Sequence, residues 1–336
     1  MAPLVLPWLE LGVCAAVIAV AGSVLTRYGE VVARHTGLSR SWIGLVLLAT
    51  VTSLPELATG VSAVTAADAP NIAVGDALGS CVFNLLLLVL LDELSREQPM
   101  YRRIDQGHIL TAGFGVILIG AVGALILLGH ERLDLRFYHI SSYTPLIVVV
   151  YLVAMRAAFD YERRSRAHEP SAEANVELTL RTAMLRYLTA AAFVIVAGAW
   201  LPFIGQDVAN AMRWKRTFVG TLLIAGTTSL PELAVTISAL RIGAVDMAIG
   251  NLLGSNLFDI LILGIDDVAY TKGPLLSSVA PAHAITAFAA VIMSGIFIVA
   301  LLFRPETRLR GTISWVSLSL LVVYLFSSYA IYLHGL

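Results

Sequence analysis

Charge is scarce in this chain. Asp, Glu, Lys and Arg make up 13% of its 336 residues, while hydrophobic residues make up 58%. A soluble protein of this length needs far more charge to cover its surface. A surplus of either sign is also missing, because 22 basic residues face 23 acidic ones and leave a formal net charge of −1. No basic field is available to neutralise phosphates, which excludes nucleic acid as a partner. There are two cysteines, Cys14 and Cys81, both in apolar runs. They read as small packing residues rather than a disulfide or a metal pair. No Lys or Arg precedes the first apolar run, Glu10 interrupts its start, and the first basic residue is Arg27. A removable signal peptide needs the opposite charge order, although Ala19 to Gly22 resembles a cleavage site.

What remains is apolar sequence, with a mean hydropathy of +0.84. Runs of roughly 20 residues, each long enough for a hydrocarbon core of roughly 30 Å, fall near 4–26, 40–65, 70–91, 108–129, 140–157, 184–204, 216–240, 245–265, 279–303 and 312–334. The expected fold is an all-α membrane protein of ten transmembrane helices. The most polar connection, 158–182, reads as a solvated cytoplasmic linker between a first five-helix unit, 1–157, and a second, 183–336. With the N-terminus outside, only Arg132, Arg136, Arg213, Lys215, Arg216 and Lys272 lie outside, and the other sixteen Lys and Arg lie inside. That bias sets the orientation, with both termini outside. Five spans per half is odd, so the second half enters inverted, an arrangement of many secondary transporters.

The duplication is directly visible. Residues 43–56 read IGLVLLATVTSLPE and 219–232 read VGTLLIAGTTSLPE. Residues 74–84 read VGDALGSCVFN and 249–259 read IGNLLGSNLFD. The two repeat blocks extend over about 43–91 and 219–266.

Within a membrane helix Pro55 supplies no N–H and crowds the carbonyl of Val51. Freed carbonyls in lipid must find other partners. Thr52, Ser53 and Glu56 add oxygens at the same break, and Thr228, Ser229 and Glu232 repeat them beside Pro231. Two such broken helices meeting near the midplane give an all-oxygen cage, which suits hard cations such as Ca2+. His and Cys are absent from the TSLPE motifs, which argues against zinc or copper. Buried carboxylates are normally functional, and two of them repel unless a cation lies between. One Ca2+ or two Na+ would neutralise both, so competition offers a basis for exchange.

In the second block Asp76, Ser80 and Asn84 share one helix face, as do Asn251, Ser255 and Asp259. A polar seam that glues helices is the competing reading, chiefly for Asp76. The spacings Gly75-x-x-x-Gly79 and Gly250-x-x-x-Gly254 allow close backbone approach. Glu10 reads as a packing or snorkelling residue, and Asp92 and Asp267 as helix-boundary residues. The seven histidines show no metal-ligand spacing.

At these motifs the sequence resembles the cation/calcium exchanger superfamily, the sodium/calcium exchangers in particular. The resemblance implies that Glu56 and Glu232 hold a central Ca2+, helped by the backbone carbonyls of Thr52 and Thr228. It implies Na+ sites at Ser53, Ser80, Ser229 and Ser255 with the carbonyls of Ala49 and Ala225, and a middle position completed by Asn84 and Asp259. It further implies three Na+ exchanged per Ca2+, no cofactor, no obligate protein partner, and alternating access in which the first and sixth helices slide across a fixed core. The expected location is a prokaryotic plasma (inner) membrane. Two departures stand out: Cys81 where the other half has Asn256, and Asp76 where it has Asn251. Asp76 is expected to titrate or attract cations at the entrance. Proton-coupled and potassium-dependent antiport are the alternatives, since Asp259 adds an acid. A passive channel or an intramembrane enzyme finds no support in these residues.

Overall fold

The computed structural model describes residues 2–34, 43–94, 100–102, 104–129, 136–165, 179–304, 308–309 and 313–335. Its helices are α1 (Ala2–Arg34), α2 (43–52), α3 (Leu54–Thr65), α4 (Pro70–Leu94), α5 (Gly107–Gly129), α6 (Tyr143–Ser165), α7 (Leu180–Met212), α8 (Arg216–Thr228), α9 (Leu230–Arg241), α10 (Val245–Ala269), α11 (His283–Phe303) and α12 (Trp315–His334). Eight are each long and apolar enough to span a membrane. The pairs α2–α3 and α8–α9 bend by 46° and 42° at their breaks, bringing the candidate spans to ten among the described residues. The chain is thus an all-α membrane protein.

Apolar content alone does not place these helices; burial does. The most hydrophobic windows of α4 and α10 are 78% and 89% buried, against 22% and 28% for α6 and α12. The centre is therefore the pair carrying the second repeat block, and the periphery shows large exposed apolar residues such as Leu152, Val196 and Phe326. Such a surface suits lipid.

The glycine spacings explain how the centre closes. A Cβ on Gly79 of α4 would collide with the Thr221 carbonyl of α8, and one on Gly254 of α10 with the Leu45 carbonyl of α2. Each central helix thus packs on the broken helix of the opposite half. The contacted turns, Ile43–Leu48 and Val219–Ile224, are π-helical. Their wider winding is a local distortion frequent at functional sites, and the apolar pattern carries no signal for it.

The two long helices α1 and α7 pack along each other and over the breaks. At 33 residues apiece they measure about 50 Å, longer than a hydrocarbon core and so suited to tilting or projecting. Gly22 of α1 lies against the Pro231 ring, and Gly198 of α7 against the Pro55 backbone. Trp8 meets Trp214 edge-on at one end, and Arg186 donates to the Tyr28 hydroxyl at the other.

Before α6 and α12 lie two short antiparallel hairpins, β1 (Arg136–Phe137) with β2 (Ile140–Ser141) and β3 (Arg308–Leu309) with β4 (Ile313–Ser314). Asp267 accepts bonds from the Ser141 and Leu275 amides and the Ser141, Tyr143 and Thr144 hydroxyls. Asp92, its repeat mate, accepts from Ser317 at 2.7 Å. Both acids dock the last helix of a half. Beyond the spans, Lys272 pairs with Asp68 at 2.7 Å, which holds its ammonium above the usual lysine value.

Several boundaries differ from the sequence expectation. The stretch read as the 158–182 linker is helical up to Ser165 and again from Leu180, capped by Thr179; residues 166–178 lie outside the described residues. Hydropathy marks only the lipid-buried part of a helix, whereas hydrogen bonding carries the helix on into water. The expected spans at 279–303 and 312–334 begin instead at His283 and Trp315, after turns and a hairpin.

Candidate ion-binding site

Each break has a local cause. Ser53 and Ser229 leave helical geometry (φ −86°, ψ 15° and φ −79°, ψ 10°), and Pro55 and Pro231 fall in the first turn that follows. In that turn a missing N–H leaves no bond unmade. Glu56 and Glu232 occupy the same first turns, where the positive end of the helix dipole favours a carboxylate.

All twelve residues expected at the site are 1% exposed or less: Ala49, Thr52, Ser53, Glu56, Ser80, Asn84, Ala225, Thr228, Ser229, Glu232, Ser255 and Asp259. Side chains from both halves interlock. Ser53 and Ser255 donate to Glu232 Oε1 at 3.3 and 3.2 Å. Ser80 donates to Glu56 Oε1 at 3.4 Å and accepts from Ser229 at 3.1 Å. Perfect symmetry would send Ser229 to Glu56, so the site is skewed.

Thr52 donates to Asn251 Oδ1 at 3.3 Å, and Thr228 donates to Asp76 Oδ1 at 2.9 Å. Asp76 and Asn251 thus act on the site as matched partners of the two threonines. Asp76 is buried at 1% exposure, which places it within the packed interior rather than at an open entrance. Matching the two repeats singled out both positions. Asn256, the third residue the site adds, accepts from Asn84 Nδ2 at 3.1 Å. On the mirrored side Cys81 Sγ lies 3.9 Å from Asp259 Oδ2, so the departure from asparagine puts a weak donor beside an acid.

The Ala49 carbonyl already takes the Ser53 amide at 3.1 Å, and it lies 3.3 Å from the Thr52 hydroxyl oxygen as an alternative acceptor to Asn251. The Ala225 carbonyl takes the Ser229 amide at 3.0 Å, and it lies 3.1 Å from the Thr228 hydroxyl oxygen as an alternative acceptor to Asp76. A cation on either carbonyl must compete with these donors.

At the site five carboxylate and amide oxygens remain buried without a hydrogen-bond donor among the described residues: Glu56 Oε2, Glu232 Oε2, Asp76 Oδ2, Asp259 Oδ1 and Asn84 Oδ1. Buried polar atoms are normally paired, and an excess of oxygen acceptors fits a hard cation. Among the described residues no group of three His, Cys, Asp or Glu could hold a metal unaided. The candidate set depends on hydroxyl, amide and carboxylate oxygens together.

Comparison with known proteins places the whole chain in a family. The profile of the sodium/calcium exchanger protein family matches residues 6–159 and again 182–333. The sodium/calcium exchanger MaX1 of Methanosarcina acetivorans is 30% identical over 271 residues, covering 71% of this chain and 76% of its own. An uncharacterized membrane protein of Methanocaldococcus jannaschii is 30% identical over 250 residues, covering 71% and 76%. A solved structure of the sodium-calcium exchanger NCX_Mj superposes with a TM-score of 0.64 at 21% identity, covering 96% of this chain and 98% of that one. The two family matches fall on the two halves that the duplicated motifs define, and the chain belongs to the sodium/calcium exchanger protein family, a family of cation/Ca2+ antiporters.

Proposed function

We propose that this chain exchanges Na+ for Ca2+ at one shared site, three Na+ for each Ca2+, in a prokaryotic plasma membrane with both termini outside. The observation that carries this reading is the pair Glu56 and Glu232. Each is buried, each has one oxygen held by serine (Glu56 by Ser80, Glu232 by Ser53 and Ser255), and each has a second oxygen without a donor among the described residues. A Ca2+ takes both carboxylates with neutral oxygens around it. The backbone carbonyls of Thr52 and Thr228 help to hold the Ca2+, and Na+ takes the same carboxylates singly, together with Ser53, Ser80, Ser229 and Ser255 and the carbonyls of Ala49 and Ala225. Asn84 and Asp259 complete the middle position. Since both ions need the same oxygens, one leaves as the other arrives. The inverted halves, each with its long helix over the partner's break, support alternating access by sliding of α1 and α7.

Purified protein in Na+-loaded liposomes should take up radiolabelled Ca2+ only while Na+ is diluted outside. A second reading has one observation in its favour. Asp76 and Asp259 bring the buried carboxylates at the ion site to four, and carboxylates also carry protons. Uptake that follows an imposed pH gradient and ignores Na+ would establish proton coupling, and a requirement for K+ on the Ca2+ side would establish potassium co-transport.

A further inference from the structure

Asp266 and Gly60 form a contact that the duplication does not repeat. Asp266 lies in α10 two turns beyond Asp259 on the same face, about 10 Å along the axis. It is completely buried, and neither carboxylate oxygen has a hydrogen-bond partner among the described residues. The charged groups that act on it, Asp76 and Asp267, are both acidic, and Asp267 is engaged by the α6 end and the Leu275 amide. The carboxylate lies against Gly60 of α3, where a Cβ would collide with both of its oxygens. Gly60 stands one turn beyond Glu56 on the same face of α3. At the matching positions, Thr236 stands in the second half for Gly60 and Leu91 in the first half for Asp266, both buried. The two differences are complementary: the glycine clears the space that the acid fills.

Both helices run from here toward one end of the molecule, where Asp68 and Lys272 pair at the exposed surface. The bias in basic residues puts that end outside. Over the same stretch α7 is fastened to the α3 end. Thr59 donates to the Gly198 carbonyl at 3.0 Å, Ser62 to Ala199 at 2.6 Å, and Gln206 to Ala67 at 2.8 Å. At the position matching Thr59, α9 has Val235, which carries no hydroxyl. Asp266 thus lies between the ion site and the surface, beside a seam held shut by α7.

We propose that Asp266 is a one-sided docking site for cations, a carboxylate on which Na+ or Ca2+ pauses along the outer route. One carboxylate without hydroxyl or carbonyl partners cannot replace the six to eight oxygens of a dehydrated Ca2+. It suits a partly hydrated cation, with water completing the shell once α7 moves away. Once α7 moves away and water reaches Asp266, its ionised carboxylate attracts cations. On the inner route Leu91 stands at the equivalent place. The role as a docking site rests on the antiport reading; the position on the outer route does not.

Two measurements test this separately. Asp266→Cys in the otherwise native chain is treated with membrane-impermeant thiol reagents of similar size and opposite charge. The unsubstituted protein, whose Cys14 and Cys81 are buried, is the control. Modification is expected from the outer face only, at similar rates with the two reagents because the docking carboxylate is gone. An absence of modification from the outer face in any mixture of Na+ and Ca2+ overturns the placement, whatever ion the protein carries. For the role, Asp266→Asn and Asp266→Leu are assayed for exchange from each face in vesicles of known orientation. Leucine restores the apolar seam of the other half and guards against a folding artefact. The half-saturating Ca2+ on the outer face should rise about threefold to tenfold, with the inner-face value unchanged. Equal shifts on both faces, no shift, or a change that follows pH instead of cation concentration each overturn the docking role. If the native protein exchanges no Ca2+ under any gradient, the antiport reading fails and the labelling result still stands.

Discussion

Ser53 donates its hydroxyl to Glu232 at 3.3 Å, joining the break in one half to the carboxylate of the other. Ser53→Ala removes a donor and an expected Na+ ligand together. A hydrogen bond to a charged group contributes about 1.5 kcal/mol, so the half-saturating Na+ should rise about tenfold. Thr50→Ala is the control, because the Thr50 hydroxyl turns back to the Val46 carbonyl. Equal effects of the two substitutions on Na+ dependence would remove Ser53 from the site.

Gly254 and Gly79 set the distance between the central helices and the π-helical turns. Alanine at either position must push against a backbone carbonyl, at a cost of about 1–3 kcal/mol. Gly113 and Gly295 have nothing within 4 Å of an added Cβ, and alanine there should be neutral or slightly stabilising. Thermal unfolding in detergent distinguishes the pairs, with a lowered midpoint for Gly254→Ala and Gly79→Ala alone.

Gly22 and Gly198 lie under the helices proposed to slide. A valine at Gly22 meets the Pro231 ring, and one at Gly198 meets the Pro55 backbone and Ala58. Exchange should slow about tenfold or more while equilibrium Ca2+ binding changes little, since closure steps set many transport and turnover rates. Native exchange rates in both variants would contradict sliding contact at these glycines.

Asp267→Ala strips the acceptor from the Ser141 and Leu275 amides and from three hydroxyls. Leaving such donors unpaired costs about 1–3 kcal/mol for each buried group. The expected outcome is a lower unfolding midpoint with Ca2+ affinity retained in the folded fraction. A selective loss of Ca2+ affinity at native stability would instead tie Asp267 to the ion site.

Much of this architecture is legible in the residues. Pro55 and Pro231 announce the breaks because proline has a fixed backbone cost, and the glycine spacings announce close contact because a missing Cβ does the same. The duplicated blocks matched Asp76 with Asn251 before any coordinates did. Other features leave no local mark. The π-helical winding at 43–48 and 219–224 depends on what packs across from it, and an apolar run reads alike in either winding. Asp267 looks like an ordinary helix end until the hairpin before α6 folds against it. The skew that turns Ser229 to Ser80 rather than to Glu56 lies in side-chain rotation, which two nearly identical motifs cannot reveal.

The central claim is that Glu56 and Glu232 form one site for which Ca2+ and Na+ compete. Equilibrium binding of radiolabelled Ca2+ to purified protein, titrated with Na+, tests it most directly, with Glu56→Gln and Glu232→Gln alongside. The account predicts saturable Ca2+ binding that Na+ displaces fully and that either substitution abolishes. Ca2+ binding that survives both substitutions, or that Na+ leaves untouched, would contradict it.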